Sequence, residues 1–409
     1  MAKTRRDPKG RSLKKGESFL AKKQIYRYVY TDVLGMRRYV YSKNLLDLRD
    51  KETEIKRDDL DGIDSYAKSS CTVNYLFERY ISTKTELRSS TKTGYIYTYN
   101  RYIRETLGKR KIGEVKYSEI KYFYSSQLGK GLSLNTISGM NRIIVSMFNL
   151  AVRDDVIRKN PASGAFAEIK KTVKERAVRH ALTYEEETEF LSCLEQPRYI
   201  RWKPLFIFMF GTGCRVGETI GIRWEDIDFE SGEVEINHDI TYCPREALDF
   251  RCEYEVGPPK TMAGIRTIPL MAKVKEVLWE EKERQEKYGC HNKDVVDGMS
   301  GFAFFNRYGG LHKPSAINKQ IARIVDDHNS TETVRAAKEG REPLIIPRFS
   351  CHVTRHTFCS RLCENGTNIK LIQQIMGHSD IRTTMDIYAE VTKEKTQAVF
   401  QKLNEEDVL

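Results

Sequence analysis

The chain has 409 residues, with 69 Lys and Arg against 57 Asp and Glu and a net charge of +12. That length accommodates two or three domains, each with its own core, and the basic balance points to a polyanionic partner, because counterion release rewards clustered Lys and Arg. No apolar run approaches the roughly 20 residues of a membrane helix, and the charged start MAKTRRDPKGRSLKKG has no apolar segment behind it, so neither a membrane span nor a secretory signal is expected.

The first 28 residues hold ten Lys and Arg against Asp7 and Glu17. Ile25–Tyr30 and Met36–Tyr41 interleave β-branched and aromatic residues with basic ones and predict two strands, joined by a turn at Asp32–Gly35. A further strand follows from Gly10–Gly16, and Leu45–Leu60 predicts a charged amphipathic helix. The sum is a small α+β unit with a three-stranded sheet over residues 1–68. Its basic sheet face would fit a major groove; a basic tail with a solvated hairpin is the plainer alternative. From Cys71 to Pro161 the apolar period becomes helical: Val73, Leu76, Phe77 and Tyr80 share one face, and Ile137, Met140, Ile144, Met147, Phe148 and Ala151 another. Ser118 is the expected N-cap of a helix starting in Tyr117–Ile120, and Pro161 ends an all-α unit over 69–165. Tyr95, Tyr97, Tyr99 and Tyr102 read as a half-buried helix surface rather than as platforms for stacked bases. Lys and Arg outnumber Asp and Glu 16 to 7 over 71–165, so this unit is basic as well.

Residues 166–182 read as a linker, whose Lys170, Lys171, Lys174, Arg176 and Arg179 would suit a phosphate backbone or simply water. Thr183–Glu186 is a capping box and opens the last domain, 183–409, expected to be α-rich with a small antiparallel sheet. Its apolar run Lys203–Phe210 is broken by Gly211 and Gly213, after which Arg215–Ile222 resumes as helix. Arg215 therefore sits at a helix start, where anions bind, and Glu218 reads as an internal partner for arginine. WEDIDFESGEVEI turns into a strand. Glu253–Gly257 and Ile265–Leu270 read as a hairpin whose connection, Pro258–Gly264, carries Lys260; a lysine at such a tip is ordinarily a solubility residue, though a mobile tip could also deliver an ammonium to a leaving oxygen. A charged helix over Glu276–Lys287, a strand over Gly301–Asn306, a helix over Pro314–Asp327 and an exposed polar insertion over Asn329–Glu342 follow.

Phe349–Val391 concentrates the chemistry. His352 and Arg355 head one helical run, His378 follows the Gly377 that ends a second, and Tyr388 lies on a third. A guanidinium grips two phosphate oxygens at once, imidazoles donate or take a proton, and a phenol can attack and leave a covalent intermediate. The same helix offers His356, Cys359 and Cys363 at i, i+3 and i+7, but a zinc site needs a fourth ligand and Val353 stands where a zincin has its Glu. A buried helix face carrying thiols is the reading preferred. The nine cysteines are odd in number and lack a C-x-x-C pair, which suits reduced thiols rather than a disulfide frame.

H-x-x-R-H at 352–356, M-G-H-S at 376–379 and I-Y at 387–388, with GTGCRVGE around Arg215 and PPKTMAGIRTIPL around Lys260, resemble in kind and order the catalytic core of the tyrosine recombinases. The one departure is Cys351 before His352, where that family commonly has Pro. Residues 1–64, with RRDPKGR, LKKGES and the closing D-G-I-D at Asp61–Asp64, resemble the arm-binding domain of conjugative-transposon integrases, and 69–165 resembles the family's four-helix core-binding clamp. The resemblance implies a multidomain, mainly α protein that cuts and rejoins DNA through a 3′-phosphotyrosyl link to integrate and excise a mobile element. Tyr388 would attack, Arg215, Arg355 and His378 would cradle the phosphate, His352 would help with proton transfer, and Lys260 would protonate the 5′ oxygen. No metal, ATP or other cofactor is called for, since the ester keeps the energy of the bond. The implied partners are double-stranded DNA at core-type and arm-type sites, further copies of the chain in a tetramer on DNA, an excisionase and a host DNA-bending protein, in the bacterial cytoplasm at the nucleoid. A non-catalytic DNA-binding regulator is the rival reading, and it would have no reason to keep a phenol and a general acid together. Thr396, Val399, Phe400 and Leu403 form one face of a final helix, which would pack on its own domain or on a neighbouring protomer.

Overall fold

The computed structural model describes residues 5–32, 35–172, 181–245, 251–259 and 261–391. The chain divides into two units, residues 1–176 and 177–409.

The first unit opens with an antiparallel sheet, β1 (Glu17–Leu20), β2 (Ile25–Thr31) and β3 (Arg37–Ser42), in that spatial order. Strand alternation sends Tyr26 and Tyr28 inward against Leu45 and Leu48 of α1 (Leu45–Leu60). On the opposite face Arg27 pairs with Tyr41, Val29 with Tyr39, and the Arg27 guanidinium lies over the Tyr39 ring. The sheet with its backing helix is therefore a folded core and not a hairpin with a tail. A second, larger core lies among α3 (Val73–Ser82), α4 (Ser89–Tyr102), α5 (Tyr117–Gly129) and α6 (Leu134–Arg153), after the short α2 (Ser65–Ser70). Tyr99 is buried and stacked on Phe77, Tyr95 and Tyr102 are partly buried, and Tyr97 is exposed, so the four tyrosines form the half-buried surface expected. Arg158 ties the two cores, bonding Asp58 at 2.7 Å and Asp61 at 2.6 Å.

Two expectations for this unit need correction. The N-cap of α5 is Lys116 and not Ser118: the Glu119 carboxylate reaches back to accept the Lys116 N–H at 3.0 Å, which puts Ser118 inside the helix. The linker expected from 166 begins instead as α7 (Ala165–Thr172), because Ala165 and Ile169, one turn apart, fill the second core. Residues 173–180 lie outside the described residues.

In the second unit, Thr183 caps α8 (Tyr184–Cys193) in the expected box with Glu186. α9 (Lys203–Thr212) is apolar nearly all round and runs through the main core, and α10 (Val216–Gly221) follows it. Two small sheets come next. β4 (Ile227–Asp228), β5 (Glu233–Ile236) and β8 (Arg266–Pro269) form one, and β6 (Asp239–Arg245) with β7 (Arg251–Gly257) forms the other. The segment expected to be a hairpin around Lys260 is therefore a crossover between sheets: β7 pairs with β6, while β8 pairs with β5 through Val234 and Ile268. Residue 260 itself lies outside the described residues.

α11 (Ala272–Lys287) follows. Gly301–Asn306 is not a strand but forms only isolated bridges, Arg223 to Phe302 and Phe305 to Leu311. The expected polar insertion is also helical: α12 (Pro314–Glu339) runs unbroken for 26 residues. Ser330, Thr331 and Thr333 return their hydroxyls to carbonyls one turn back, Ala336 and Glu332 are buried, and Gly340 ends the helix. α13 (Cys351–Glu364), α14 (Ile369–Met376) and α15 (381–391) share a smaller core of Phe358, Cys359, Cys363, Ile372, Met376 and Val391. Among the described residues no helix is long and apolar enough to cross a membrane, and no His, Cys, Asp and Glu cluster could hold a metal; Cys359 and Cys363 instead line that apolar core.

Candidate active site

The site is built on the C-terminal end of α14. A helix end leaves its last carbonyls unsatisfied and partly negative. Here three successive carbonyls each take a different arginine. Ile375 O accepts from Arg266 Nε at 2.7 Å, Met376 O accepts from Arg355 Nη2, and Gly377 O accepts from Arg215 Nη2 at 3.2 Å. Gly377 makes the turn in the left-handed region, φ 61°, and a Cβ there would press to 2.8 Å from Ala263 O. His378 comes directly after it.

Each arginine is also held from a second side. Arg355, on α13, is 3 % exposed and donates from Nη1 to Gly213 O at 2.8 Å, the carbonyl of the left-handed residue that ends α9. A Cβ on Gly213 would strike the Phe358 ring at 2.5 Å, so the chain reversal that presents this carbonyl requires glycine. Arg215 is the residue just before α10. Its Nη1 meets Glu218 Oε1 at 2.6 Å, and Glu218 Oε2 accepts the Arg215 backbone N–H at 2.9 Å. The same carboxylate takes Arg266 Nη2 at 2.9 Å. Burial would raise the Glu218 pKa, but Arg266 and then Arg215 outweigh it and bring it down to about 2. Arg355 is moved the other way. Burial, and then the charge of Arg215, push it down to about 10, still protonated near neutrality.

His378 is 9 % exposed, and its Nδ1 lies 2.9 Å from Thr384 Oγ1. Burial, then Arg355, Arg215, Arg266 and His352, lower its pKa to about 4, so at neutral pH the ring is uncharged with one N–H. His352 is exposed on the first turn of α13, three residues before Arg355, and close enough for its charge to bear on His378. The residue that caps α13 is Ser350, so His352 stands inside the helix. Tyr388 is 39 % exposed, hence no core residue, while Thr384 and Val391 on the same stripe of α15 are buried and Ile387 packs on the small core. Those anchors fix the helix that carries the phenol.

Arg215, Arg355 and His378 are thus gathered at one helix end, with His352 beside them and Tyr388 one turn beyond Thr384. Lys260 lies outside the described residues, as does everything after 391. Glu218 is the internal arginine partner expected. Arg266 was missed: it stood in the sequence only as the last letter of T-x-x-G-x-R after Lys260, yet it spans Gly264 O, Ile375 O and Glu218. It thereby pins the end of the Lys260 crossover to α14.

Two family models match the chain: the phage integrase family over residues 180–395 and the DNA binding domain of Tn916 integrase over residues 1–59. The transposase from transposon Tn1545 of Streptococcus agalactiae is 30 % identical over 99 % of this chain and 98 % of its own length. The transposase from transposon Tn916 of Enterococcus faecalis gives the same identity and coverage. Among solved structures, the Tn1549 transposon integrase in complex with a circular intermediate DNA superposes with a TM-score of 0.68 at 26 % identity, over 81 % of this chain and 100 % of that one.

Proposed function

We propose that this chain, which belongs to the phage integrase family, attacks DNA with Tyr388 and cradles the scissile phosphate with Arg215, Arg355 and His378. The chain is a site-specific DNA recombinase, close to the integrases of conjugative transposons. One observation carries the residue assignment: two arginines hang from the consecutive carbonyls of Met376 and Gly377, immediately before His378. A guanidinium has five N–H donors, and the two side-chain contacts given above for each arginine leave donors over for phosphate oxygens. Donors held in advance cost no reorganisation when charge develops on phosphorus, and each is worth about 3 kcal/mol.

In this reading the Tyr388 oxygen forms a bond to phosphorus as the bond to the 5′ oxygen breaks. The phenol proton passes to the solvent or to His352, and Lys260 protonates the leaving oxygen. The phosphotyrosyl ester keeps the bond energy, and attack by a 5′ hydroxyl of another strand reverses the chemistry and rejoins DNA. Residues 1–68 would read an arm-type site with the Arg27 and Tyr39 face of the sheet, 69–165 would hold the core-type site, and 183–409 would cleave. Double-stranded DNA is the substrate, and several copies of the chain act together on it. A tetramer, an excisionase and a host DNA-bending protein complete the assembly proposed, working at the bacterial nucleoid.

A duplex nicked just beyond the cleavage site tests this reading. Its short 5′-hydroxyl fragment diffuses away, so the wild-type chain accumulates as a covalent adduct while Tyr388→Phe binds and forms none. A wild-type chain that binds without adduct would be a regulator, and an adduct with the Phe variant would remove Tyr388 as nucleophile.

A further inference from the structure

We propose that Thr384 is a positioning residue for strand cleavage: its hydroxyl holds the His378 ring in the tautomer that presents Nε2–H to the phosphate and ties that ring to the helix bearing the nucleophile. The inference rests on the reading of His378 as a phosphate donor. Thr384 is fully buried, and the one hydrogen bond of its Oγ1 among the described residues is to His378 Nδ1, at 2.9 Å. The rest of His378 is held from α14, since its N–H donates to Gln373 O at 3.1 Å and its carbonyl accepts from Gln373 Nε2 at 3.0 Å. The backbone of His378 therefore belongs to one helix and its ring to the next.

The tautomer follows from what surrounds the ring. Burial, and then the charges of Arg355, Arg215, Arg266 and His352, keep it uncharged at neutral pH. A neutral imidazole has one N–H. With the threonine hydroxyl donating to Nδ1, that N–H is on Nε2 and faces an anionic oxygen as a donor. With the proton on Nδ1, Nε2 would present a lone pair to the same oxygen and repel it. Thr384 and Tyr388 stand at i and i+4 on α15, one turn apart on one stripe. Any shift of this helix that displaces the phenol also displaces the hydroxyl, so donor and nucleophile are placed together.

The test uses the full chain and the nicked duplex, with DNA affinity and single-turnover cleavage measured separately. Thr384→Val keeps the shape and removes the hydroxyl. Partners that orient metal-ligating histidines are worth about 10- to 100-fold, and by the same orienting effect cleavage should slow about 10-fold or more with affinity unchanged, and Thr384→Ser should restore it. In a His378→Ala background, Thr384→Val should have no further effect, because its influence passes through the ring. Nitrogen-15 shifts of labelled histidine should show the Nε2–H form in the wild type and lose it in the Val variant. Wild-type cleavage by Thr384→Val, an effect of equal size without His378, or an Nδ1–H ring in the wild type overturns the inference while leaving His378 as a donor. Wild-type cleavage by His378→Ala removes that donor role, and Thr384 with it.

Discussion

Glu218→Gln removes one charge from the centre of the arginine cluster with almost no change of shape. In the native chain this carboxylate is 2 % exposed and bridges Arg215 and Arg266. Its pKa falls from the ordinary 4.5 to about 2. At 1.36 kcal/mol for each tenfold change in acidity, that gap is worth about 3 kcal/mol. The figure agrees in order with the roughly 3–5 kcal/mol lost when one partner of a buried pair is removed. The sign is that of a lowered carboxylate: the stabilisation is complete above pH 4.5, declines below it, and is gone once pH has fallen through about 2. Glu218→Gln should therefore lower the melting temperature of the catalytic unit by about 6–12 °C at pH 7, by the scaling for a unit of this size. The gap from wild type should narrow as the pH is lowered from 4.5 towards 2. Cleavage should also slow, because a carboxamide offers one acceptor oxygen where the carboxylate holds both Arg215 and Arg266. Calorimetry across that pH range is the assay. A variant as stable as wild type at pH 7, or a gap that does not depend on pH, would mean that the Glu218 charge does not hold the arginine cluster together.

Arg355→Lys keeps a charge but cannot span Gly213 O and Met376 O while presenting a fork to phosphate; cleavage should fall at least about 100-fold with DNA retained in gel shifts, and unchanged rates would take Arg355 out of the site. Lys260→Ala should cleave poorly on normal DNA and recover on a substrate whose 5′ leaving oxygen is replaced by sulfur, because a thiolate departs without a proton; absence of rescue would exclude the general-acid role. Deleting residues 1–68 should spare cleavage at a core-type site and abolish binding of a second, arm-type sequence, since the sheet and α1 have their own core and meet the helical bundle through contacts such as Arg158 with Asp58 and Asp61. Equal binding of every DNA site by both forms would contradict two-site recognition.

The elements legible in the chain were those decided by near neighbours. Alternating tyrosines and arginines specify β2 and β3, and the apolar period specifies α6, because local geometry alone sorts those side chains to one face. Thr183 and Glu186 specify their own cap for the same reason. Ser118 misled because a cap can be made from the other end of the box, by Glu119 reaching back to Lys116. The segment 329–342 is largely exposed as its polarity suggests, but polarity does not end a helix: α12 runs on until Gly340 stops it, and the hydroxyls between return to the helix backbone. The crossover at 258–264 looked like a hairpin because two strands flank it, and nothing local reveals that β8 pairs with β5 across an inserted hairpin. In the candidate site, residue types and order point to Arg215, Arg355 and His378, which the structure brings together at the end of α14. Arg266 escaped because its partners are backbone carbonyls and a carboxylate remote in sequence, which no motif spacing records.

Cleavage by this chain should leave the phenol of Tyr388 covalently joined to DNA. The most direct measurement is mass spectrometry of the peptide carrying the nucleotide remnant, after nuclease and protease digestion of the wild-type adduct trapped on the nicked duplex. The remnant should sit on Tyr388, attached through a 3′ phosphate, with a free 5′ hydroxyl on the released strand. A remnant on any other residue, or one attached through a 5′ phosphate, would contradict this chemistry.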